Sequence, residues 1–536
     1  MSRVAEDALE AGRAALKRHA WQEAFDVLSE ADRSGSLPAE GLRLLADAAW
    51  WSGHPDVVID ALERAYAAYS TQEDHSAAAM AAFRLAEQHS MRMAYPVAMA
   101  GMGRAERLAE ELPDSPVHGW LAWMRGLLSW SRGDIEEAFR QYDNAIEIGR
   151  RTGEPNLHGM SLQDKGHLLC SQGNVAEGLP MIDEAMVAAV GGEMEPTAAG
   201  YVYCGMIGIC SRLADYGRAA EWTAATSRWC ERYSITGFPG ICRVHRAQLM
   251  TFRGEWAKAE EEARTAVEEL PRFNLYPGLG YANYEIGEVR RRMGDLSEAE
   301  EAYTRSHQYG HSPHPGLSLV WLAQGKVDAA ATGIRQALAE AADDRLSRLK
   351  LLVALAEIAI AADDVDGAAS AADEVHAICD EYQTPARRAV AAYVRGMVRL
   401  AQGDEKTALS DLTAARRAWM EAGAPYEAAQ ACVLLARALL ALENREGAVL
   451  EARAARDAFE RLGAHRAAEE AGAILRELAS SGGQAERVRR AFMFTDIVKS
   501  TDLLGVIGDD AWEDLLTWHD LKLQSLFGSH GGEVVH

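Results

Sequence analysis

The sequence predicts a mostly α-helical protein: a solenoid of about twelve helix hairpins, followed by a short α+β segment in the order strand, helix, helix, strand. Two observations support the solenoid. A pattern of small residues recurs along residues 1–478, most often every 40 or 41 residues, and a glycine frequently precedes it by five positions. A third observation supports the α+β segment, because the helical pattern breaks near residue 479 and a β-prone run follows.

Length and charge exclude several classes of protein. A chain of 536 residues is too long for one compact core, which favours several domains or an extended repeat. Its formal net charge of −25 argues against a nucleic-acid-binding surface, which requires a basic stripe. The first residues lack the apolar core of a signal peptide, and the best apolar stretch, 351–362, is too short to span a bilayer. We therefore expect a cytoplasmic protein with no nucleic-acid or membrane partner.

The cysteines indicate the same compartment. There are seven, widely spaced and without a C-x-x-C motif. An odd number in this arrangement argues against a disulfide framework and against a thiolate zinc site, so we expect buried free thiols.

The helices of the solenoid follow from the spacing of the small residues. In most repeats a small residue is followed by a larger apolar one four positions on and a small one three further, as at Ala138, Tyr142 and Ala145. Residues at i, i+4 and i+7 share one helix face, and small side chains there let a second helix pack closely. The first position of the pattern falls at residues 24, 58, 98, 138, 178, 219, 259, 299, 330, 368, 408 and 448.

The turns of the hairpins follow from the glycines. "RGDIEEA", "MGDLSEA" and "QGDEKTA" place Gly133, Gly294 and Gly403 five residues before the pattern. Glycine ends a helix at low cost in the left-handed conformation, so each segment predicts a helix end, a short turn and a new helix. Hairpins of this kind stack into a solenoid.

Two segments of the array, 124–145 and 284–306, resemble the tetratricopeptide repeat (TPR). In "YEIGEVRRRMGDLSEAEEAYTRS" the residues Gly287, Ala299 and Tyr303 match that motif. The period of 40 exceeds the usual 34, so a two-helix repeat of the HEAT type stays an alternative. The resemblance covers most of residues 1–478 and implies a groove for a peptide, a protein or a small effector. The alternative is a spacer or a dimerisation arm.

Two clusters inside the array are candidate sites. His307, His311 and His314 lie close together in sequence and carry the nitrogen ligands that zinc accepts, although a polar loop interrupted by prolines is the simpler interpretation. Trp120 and Trp123 have the helical spacing of core residues. No G-x4-G-K-[ST] motif occurs, so nothing supports a P-loop module.

The last residues predict a separate unit. Residues 479–490 are predicted to be a flexible linker, and "RAFMFTDIV" predicts a strand from 491 to 498. A helix is expected to begin near Ser500, a second helix to cover 509–527, and "EVVH" to open a second strand.

Residues 491–536 resemble the beginning of a class III adenylate/guanylate cyclase domain, through "FTDIVKST", "LGVIGDDAWEDLLTWHD" and "HGGEVV". The resemblance implies that Asp496 holds two divalent metal ions, Mg²⁺ or Mn²⁺, and that the Ile497 carbonyl contacts one of them. It also implies that the backbone amides of Lys499, Ser500 and Thr501 face the phosphates of a nucleoside triphosphate. Lys499 stands where the family usually has glycine.

Residues 491–536 correspond to roughly the first quarter of such a domain, judged by which of the family's motifs are present. The second metal-binding Asp of the family would follow residue 536, and so would the residues that select ATP or GTP. We therefore expect this chain to be catalytically incomplete, and metal ions and nucleotide to bind only in a complete cyclase. The enzyme interpretation also implies a homodimer, because such sites form between two catalytic domains.

Three functions remain open from the sequence. The first is a signalling protein in which the array binds a partner and regulates the cyclase. The alternative is a TPR scaffold without catalysis, carrying a vestigial cyclase tail. The third function is that of a DNA-binding regulator of the LuxR type. It has the weakest support, because the chain lacks a basic surface.

Overall fold

The computed structural model describes residues 3–35, 37–232, 241–273, 275–341, 344–382 and 384–480, together with residues 512, 515–519, 522, 523 and 526. The chain divides into two units, Met1–Ser480 and Ser481–His536.

The first unit consists of helices joined by short turns. The first thirteen are α1 (Arg3–Lys17), α2 (Trp21–Arg33), α3 (Ala39–Trp51), α4 (Pro55–Thr71), α5 (His75–Met91), α6 (Tyr95–Ala109), α7 (Val117–Ser131), α8 (Ile135–Thr152), α9 (Pro155–Ser171), α10 (Val175–Gly191), α11 (Pro196–Leu213), α12 (Tyr216–Arg232) and α13 (Ile241–Phe252). The next twelve are α14 (Trp256–Glu269), α15 (Tyr276–Met293), α16 (Leu296–Gln308), α17 (Gly316–Ala323), α18 (Val327–Glu340), α19 (Arg345–Ala361), α20 (Val365–Tyr382), α21 (Pro385–Ala401), α22 (Glu405–Glu421), α23 (Pro425–Ala441), α24 (Arg445–Leu462) and α25 (His465–Ser480). A short 3₁₀ turn, Leu270–Phe273, follows α14.

Consecutive helices form hairpins, from α1 with α2 to α23 with α24, and α25 packs on the last hairpin. The small residue that marks each repeat is the fourth residue of every even-numbered helix from α2 to α24, and it is buried in each of them. Ala138 of α8 and Ala299 of α16, for example, have no exposed surface. The small side chains therefore bring the two helices of each hairpin into close contact, as the pattern predicts.

The turns repeat as strictly as the helices. In all twelve hairpins the residue five positions before the small residue has a positive φ, and seven of these residues are glycine. The other five are His19, Met93, Ala214, Asp363 and Glu443, with φ between 56° and 62°. The left-handed conformation is thus a property of the position rather than of the glycine.

The helices form two layers. From α5 to α25 each odd-numbered helix contacts the next odd-numbered one, whereas even-numbered helices mainly contact their odd-numbered neighbours. Contacts also join α11 to α19 and α15 to α25, far apart in the sequence. We call the odd-numbered helices the inner layer, because they lie on the side where the array curves and meets itself.

Polar contacts hold these distant parts of the inner layer together. Arg212 Nη2 at the end of α11 contacts both carboxylate oxygens of Asp344, at 2.7 and 2.9 Å. Arg292 Nη1 of α15 lies 2.8 Å from Glu427 Oε1 of α23. The Thr384 hydroxyl donates to the Leu213 carbonyl oxygen over 3.0 Å, so the later repeats contact the earlier ones at several points.

The α+β part of the predicted fold class is wrong. Every described residue of the second unit, such as Trp512 and those of 515–519, is helical, and the described chain contains no strand. The runs 491–498 and 533–536, predicted to be strands, lie outside the described residues. The prediction failed because a short β-prone run is weak evidence for a strand, whose stability depends on pairing with neighbouring strands. The helical-repeat part of the prediction fits the structure.

The cysteine expectation also needs correction. Cys204 of α11 and Cys242 of α13 form a disulfide bond, with their Cα atoms 5.6 Å apart. These are neighbouring helices of the inner layer, so two cysteines 38 positions apart in sequence meet without any recognisable motif. Cys170, Cys210, Cys230, Cys379 and Cys432 are free thiols. Over the residues that the structure covers, none of the helices combines the length and apolar character needed to cross a bilayer.

Candidate functional site

Inner helices such as α5 and α15 carry a stripe of incompletely buried residues beside a buried surface. On α5 the stripe consists of Met80, Arg84, Glu87 and Met91, at the spacing that keeps residues on one helix face. On α15 it consists of Tyr281, Tyr284, Glu288 and Arg291. These stripes place aromatic and charged side chains side by side along the inner layer.

We call five residues of the inner layer the aromatic–acidic patch: Glu87, Trp120, Trp123, Asp164 and Tyr201. They come from α5, α7, α9 and α11. Glu87 lies one turn after Phe83, whose ring packs on that of Trp120 at 5.7 Å. The ring of Trp120 lies 5.8 Å from that of Trp123, and Trp123 lies 5.8 Å from Tyr201, both in edge-to-face geometry. Trp120 and Tyr201 are half-buried, whereas Trp123 and Asp164 are buried.

Asp164 joins three inner helices. Its carboxylate accepts a hydrogen bond from Trp123 Nε1 at 2.7 Å and another from the Tyr201 hydroxyl at 2.9 Å. Only 3% of the residue is exposed. Burial raises the pKa of Asp164 to about 7, although the hydrogen bonds from Trp123 and Tyr201 act in the opposite direction. Asp164 is therefore a buried carboxyl that changes charge near neutral pH.

Glu87 is the second carboxyl of the patch. Burial raises the pKa of Glu87, and the positive charge of the nearby Arg84 offsets only part of this rise. Arg84 is itself engaged, since its Nη1 lies 2.5 Å from Asp47 Oδ1. Within the described ranges Glu87 makes no ion pair, so the carboxyl groups of the patch lack a dedicated cation.

A different group of charges lies on α15. Glu288 accepts a hydrogen bond from the Tyr303 hydroxyl at 2.6 Å and lies 2.9 Å from Arg291 Nη2. Burial alone would raise the pKa of Glu288, but Arg291 and Arg292 lower it to about 2. These charges are paired within the protein, so this part of the inner layer is held by its own salt bridges.

Two of the histidine candidates, His311 and His314, contact different neighbours in the structure. His311 packs on the rings of Tyr281 and Tyr284, at centroid distances of 4.2 and 5.2 Å. His314 Nδ1 lies 2.7 Å from Ser318 Oγ. Across the described segments no group of three or more metal-binding side chains comes together. Trp123 is a core residue, as its helical spacing predicts, because only 3% of it is exposed. Trp120 is half-buried.

The predicted cyclase residues Asp496, Ile497, Lys499, Ser500 and Thr501 lie outside the described residues. Sequence reasoning had missed Glu87, Asp164 and Tyr201, because no motif contains them. The available signal was a charged residue within the apolar face of a helix, as Asp164 is in "MSLQDKGHLL".

No protein-family model matches the chain. No curated protein matches it either. Among solved structures, the chain is similar to one from the crystal structure of the APC/C hetero-tetramer Cut9–Hcn1, with 12% identity and a TM-score of 0.39, over 88% of this chain and 96% of that one. A likeness with so low a TM-score does not indicate a function. The TPR-like character of the array rests on its own hairpins and turns.

Proposed function

We propose that the helical array is a protein-interaction scaffold whose inner layer binds an extended segment of a partner protein. The observation that carries this proposal is the set of stripes on the inner helices, where aromatic and charged side chains remain partly exposed. Stacked repeats present such a surface continuously, and aromatic side chains supply much of the binding energy at protein interfaces.

Selection from a random peptide library on the immobilised full chain tests this proposal. Glu357, on α19, and Glu63, on α4, are both exposed glutamates, one in the inner layer and one in the outer layer. The selected peptides should lose affinity for Glu357→Lys or for variants of the aromatic–acidic patch, and keep it for Glu63→Lys. Equal binding by all the variants would place the binding surface elsewhere and contradict the proposal.

A second candidate function is regulation of a class III nucleotide cyclase by the array, favoured by the motif "FTDIVKST". In this proposal Asp496 and the Ile497 carbonyl would hold divalent metal ions, which would stabilise charge on the phosphates, and the amides of residues 499–501 would hold the phosphates of ATP or GTP. The reaction also requires the family's second metal-binding Asp and further cyclase residues, which the resemblance does not cover.

The cyclase candidate is tested by cyclic nucleotide formation from ATP and GTP with Mn²⁺, in a form that carries those further residues. Asp496→Ala should abolish product formation, because the site would lose its shared metal ligand. Turnover that survives Asp496→Ala would exclude the assigned role of Asp496.

A further inference from the structure

The composition of the aromatic–acidic patch indicates the chemistry of the partner. The patch contains two carboxyl groups, those of Glu87 and Asp164, and the rings of Trp120, Trp123 and Tyr201. Trp120, Trp123, Asp164 and Tyr201 are joined by ring contacts and hydrogen bonds. Glu87 lies one helical turn after Phe83, whose ring packs on that of Trp120 at a centroid distance of 5.7 Å. The patch is thus one unit that spans four consecutive inner helices.

The protein supplies little positive charge to this unit. The guanidinium of Arg84 is bound by Asp47, and Asp164 receives its hydrogen bonds from neutral groups, the indole of Trp123 and the hydroxyl of Tyr201. Glu87 has no ion-pair partner in the part of the chain that the structure covers. Carboxyl groups that are partly removed from water interact more strongly with a cation than exposed ones do.

The aromatic rings favour the same kind of ligand. A guanidinium or ammonium group binds over the face of a tryptophan or tyrosine ring, and the attraction increases when water is excluded. Trp120 and Tyr201 are the two half-buried rings of the patch, whereas Trp123 is buried and ties Asp164 in place. The ring faces and the Glu87 carboxylate therefore complement a planar or compact cation on a flexible side chain.

We propose that the aromatic–acidic patch binds an arginine or lysine side chain of the partner segment. Glu87 forms the ion pair with this side chain, and the rings of Trp120 and Tyr201 pack against it. This inference rests on the proposed scaffold function and names the chemistry of one position of its ligand.

The test uses peptides selected on the full chain and compares each with a copy in which arginine is replaced by citrulline, which has nearly the same shape but no charge. Titrations are made at physiological ionic strength, because a chain of net charge −25 attracts any cationic peptide at low salt. We expect arginine or lysine at one fixed position of the peptides, and citrulline there should weaken binding about tenfold, which corresponds to about 1.4 kcal/mol.

Two variants with the same change of net charge locate the effect. Glu87→Gln should weaken binding of the arginine peptide about tenfold, and the citrulline peptide should bind both proteins equally. Glu63→Gln, on the exposed surface of α4, should leave both affinities unchanged. Thermal melting by circular dichroism establishes whether the variants are folded, and the comparison of arginine with citrulline on the unaltered chain does not depend on any variant.

The outcomes separate this inference from the scaffold proposal. Peptides that lose affinity for Glu357→Lys, but show no preference for a cation and no effect of Glu87→Gln, would overturn this inference alone. Failure to select any peptide, or binding that no inner-layer variant changes, would overturn both.

Discussion

Trp123 Nε1 donates a hydrogen bond to Asp164 Oδ2 over 2.7 Å, and 41 residues separate the two in sequence. This separation is one repeat length, so the bond joins equivalent helices, α7 and α9, of adjacent hairpins. Tyr201 of α11 donates to the same carboxylate from the following hairpin. One buried acid thus connects three successive repeats, and its charge state should affect the stability of the array.

The first prediction concerns pH. Burial raises the pKa of Asp164 to about 7 in the folded protein, whereas a free Asp titrates near 3.9. Between these values the folded state binds more protons than the unfolded state, so the Asp164 contribution to stability falls as pH rises and is fully lost above pH 7. The slope approaches 1.4 kcal/mol per pH unit, an order-of-magnitude value.

The measurement is the free energy of unfolding from pH 4.5 to 8.5, for the unaltered chain and for Asp164→Asn. The difference between the two proteins cancels the other titrating groups. As pH rises, Asp164→Asn should become more stable relative to the unaltered chain, because Asn cannot ionise. A difference that does not vary with pH would show that Asp164 titrates as an exposed carboxyl does.

The second prediction compares the hydroxyl groups of two tyrosines. Tyr201→Phe removes a donor to Asp164, which should destabilise the protein by about 1–3 kcal/mol at pH 8 and by less at pH 5, where the acid is neutral. Tyr142 is fully buried, and its hydroxyl has no hydrogen-bond partner among the described residues. Tyr142→Phe should therefore be neutral or stabilising. Denaturant unfolding of both variants checks the pair, and the reverse order of stabilities would refute the assigned hydrogen bonds.

The third prediction concerns the turns. Glu443 has a φ of 61°, and Gly403 occupies the equivalent place in the preceding hairpin with a φ of 79°. Glu443→Gly should stabilise the chain by about 0.5–1 kcal/mol, because glycine adopts this conformation without strain. Gly403→Ala should destabilise it by about 1–2 kcal/mol, although its new Cβ would meet no neighbouring atom within 4 Å.

Glu443→Ala is the matched control for the turn, since it removes the same side chain but keeps the strained backbone. The melting temperature of this variant should stay near that of the unaltered chain. If Glu443→Ala stabilised the protein as much as Glu443→Gly, the side chain rather than the backbone conformation would be responsible.

The fourth prediction concerns the contact between distant repeats. Arg292 and Glu427 are 14% and 16% exposed, and their side chains meet at 2.8 Å. Arg292→Met leaves Glu427 buried without its cation and should cost about 3–5 kcal/mol. The double variant Arg292→Met/Glu427→Leu should recover most of this loss, because two apolar side chains can replace a buried ion pair.

Amide hydrogen exchange in α15 and α23 measures the destabilisation by Arg292→Met locally. A local measurement is needed because a long repeat array does not have to unfold in one step. Faster exchange in both helices is expected for Arg292→Met. Unchanged exchange would mean that the salt bridge does not hold these parts of the array together.

The sequence predicted the array well because its signals are local. A small residue such as Ala138 and a glycine such as Gly133 act within their own hairpin, and repetition over twelve hairpins makes the pattern unmistakable. The α+β prediction relied on single short runs without repetition and was wrong. The five non-glycine turn residues were missed because nothing in their side chains indicates a positive φ.

The candidate site could not be predicted, because its members come together only through stacking. Glu87, Trp123, Asp164 and Tyr201 lie on different helices, and each resembles an ordinary helix residue in its own repeat. The pairing of Cys204 with Cys242 was hidden for the same reason. Predicting these contacts requires the relative rotation of neighbouring helices, which a spacing pattern does not contain.

The most direct test of the proposed function is hydrogen-exchange mass spectrometry of the full chain, with and without a peptide selected for binding. We predict protection along successive odd-numbered helices, including α5, α7 and α11, while exchange in the outer helices α4 and α6 stays unchanged. Protection confined to the even-numbered helices, or to residues after Ser480, would contradict the account of the inner layer as the binding surface.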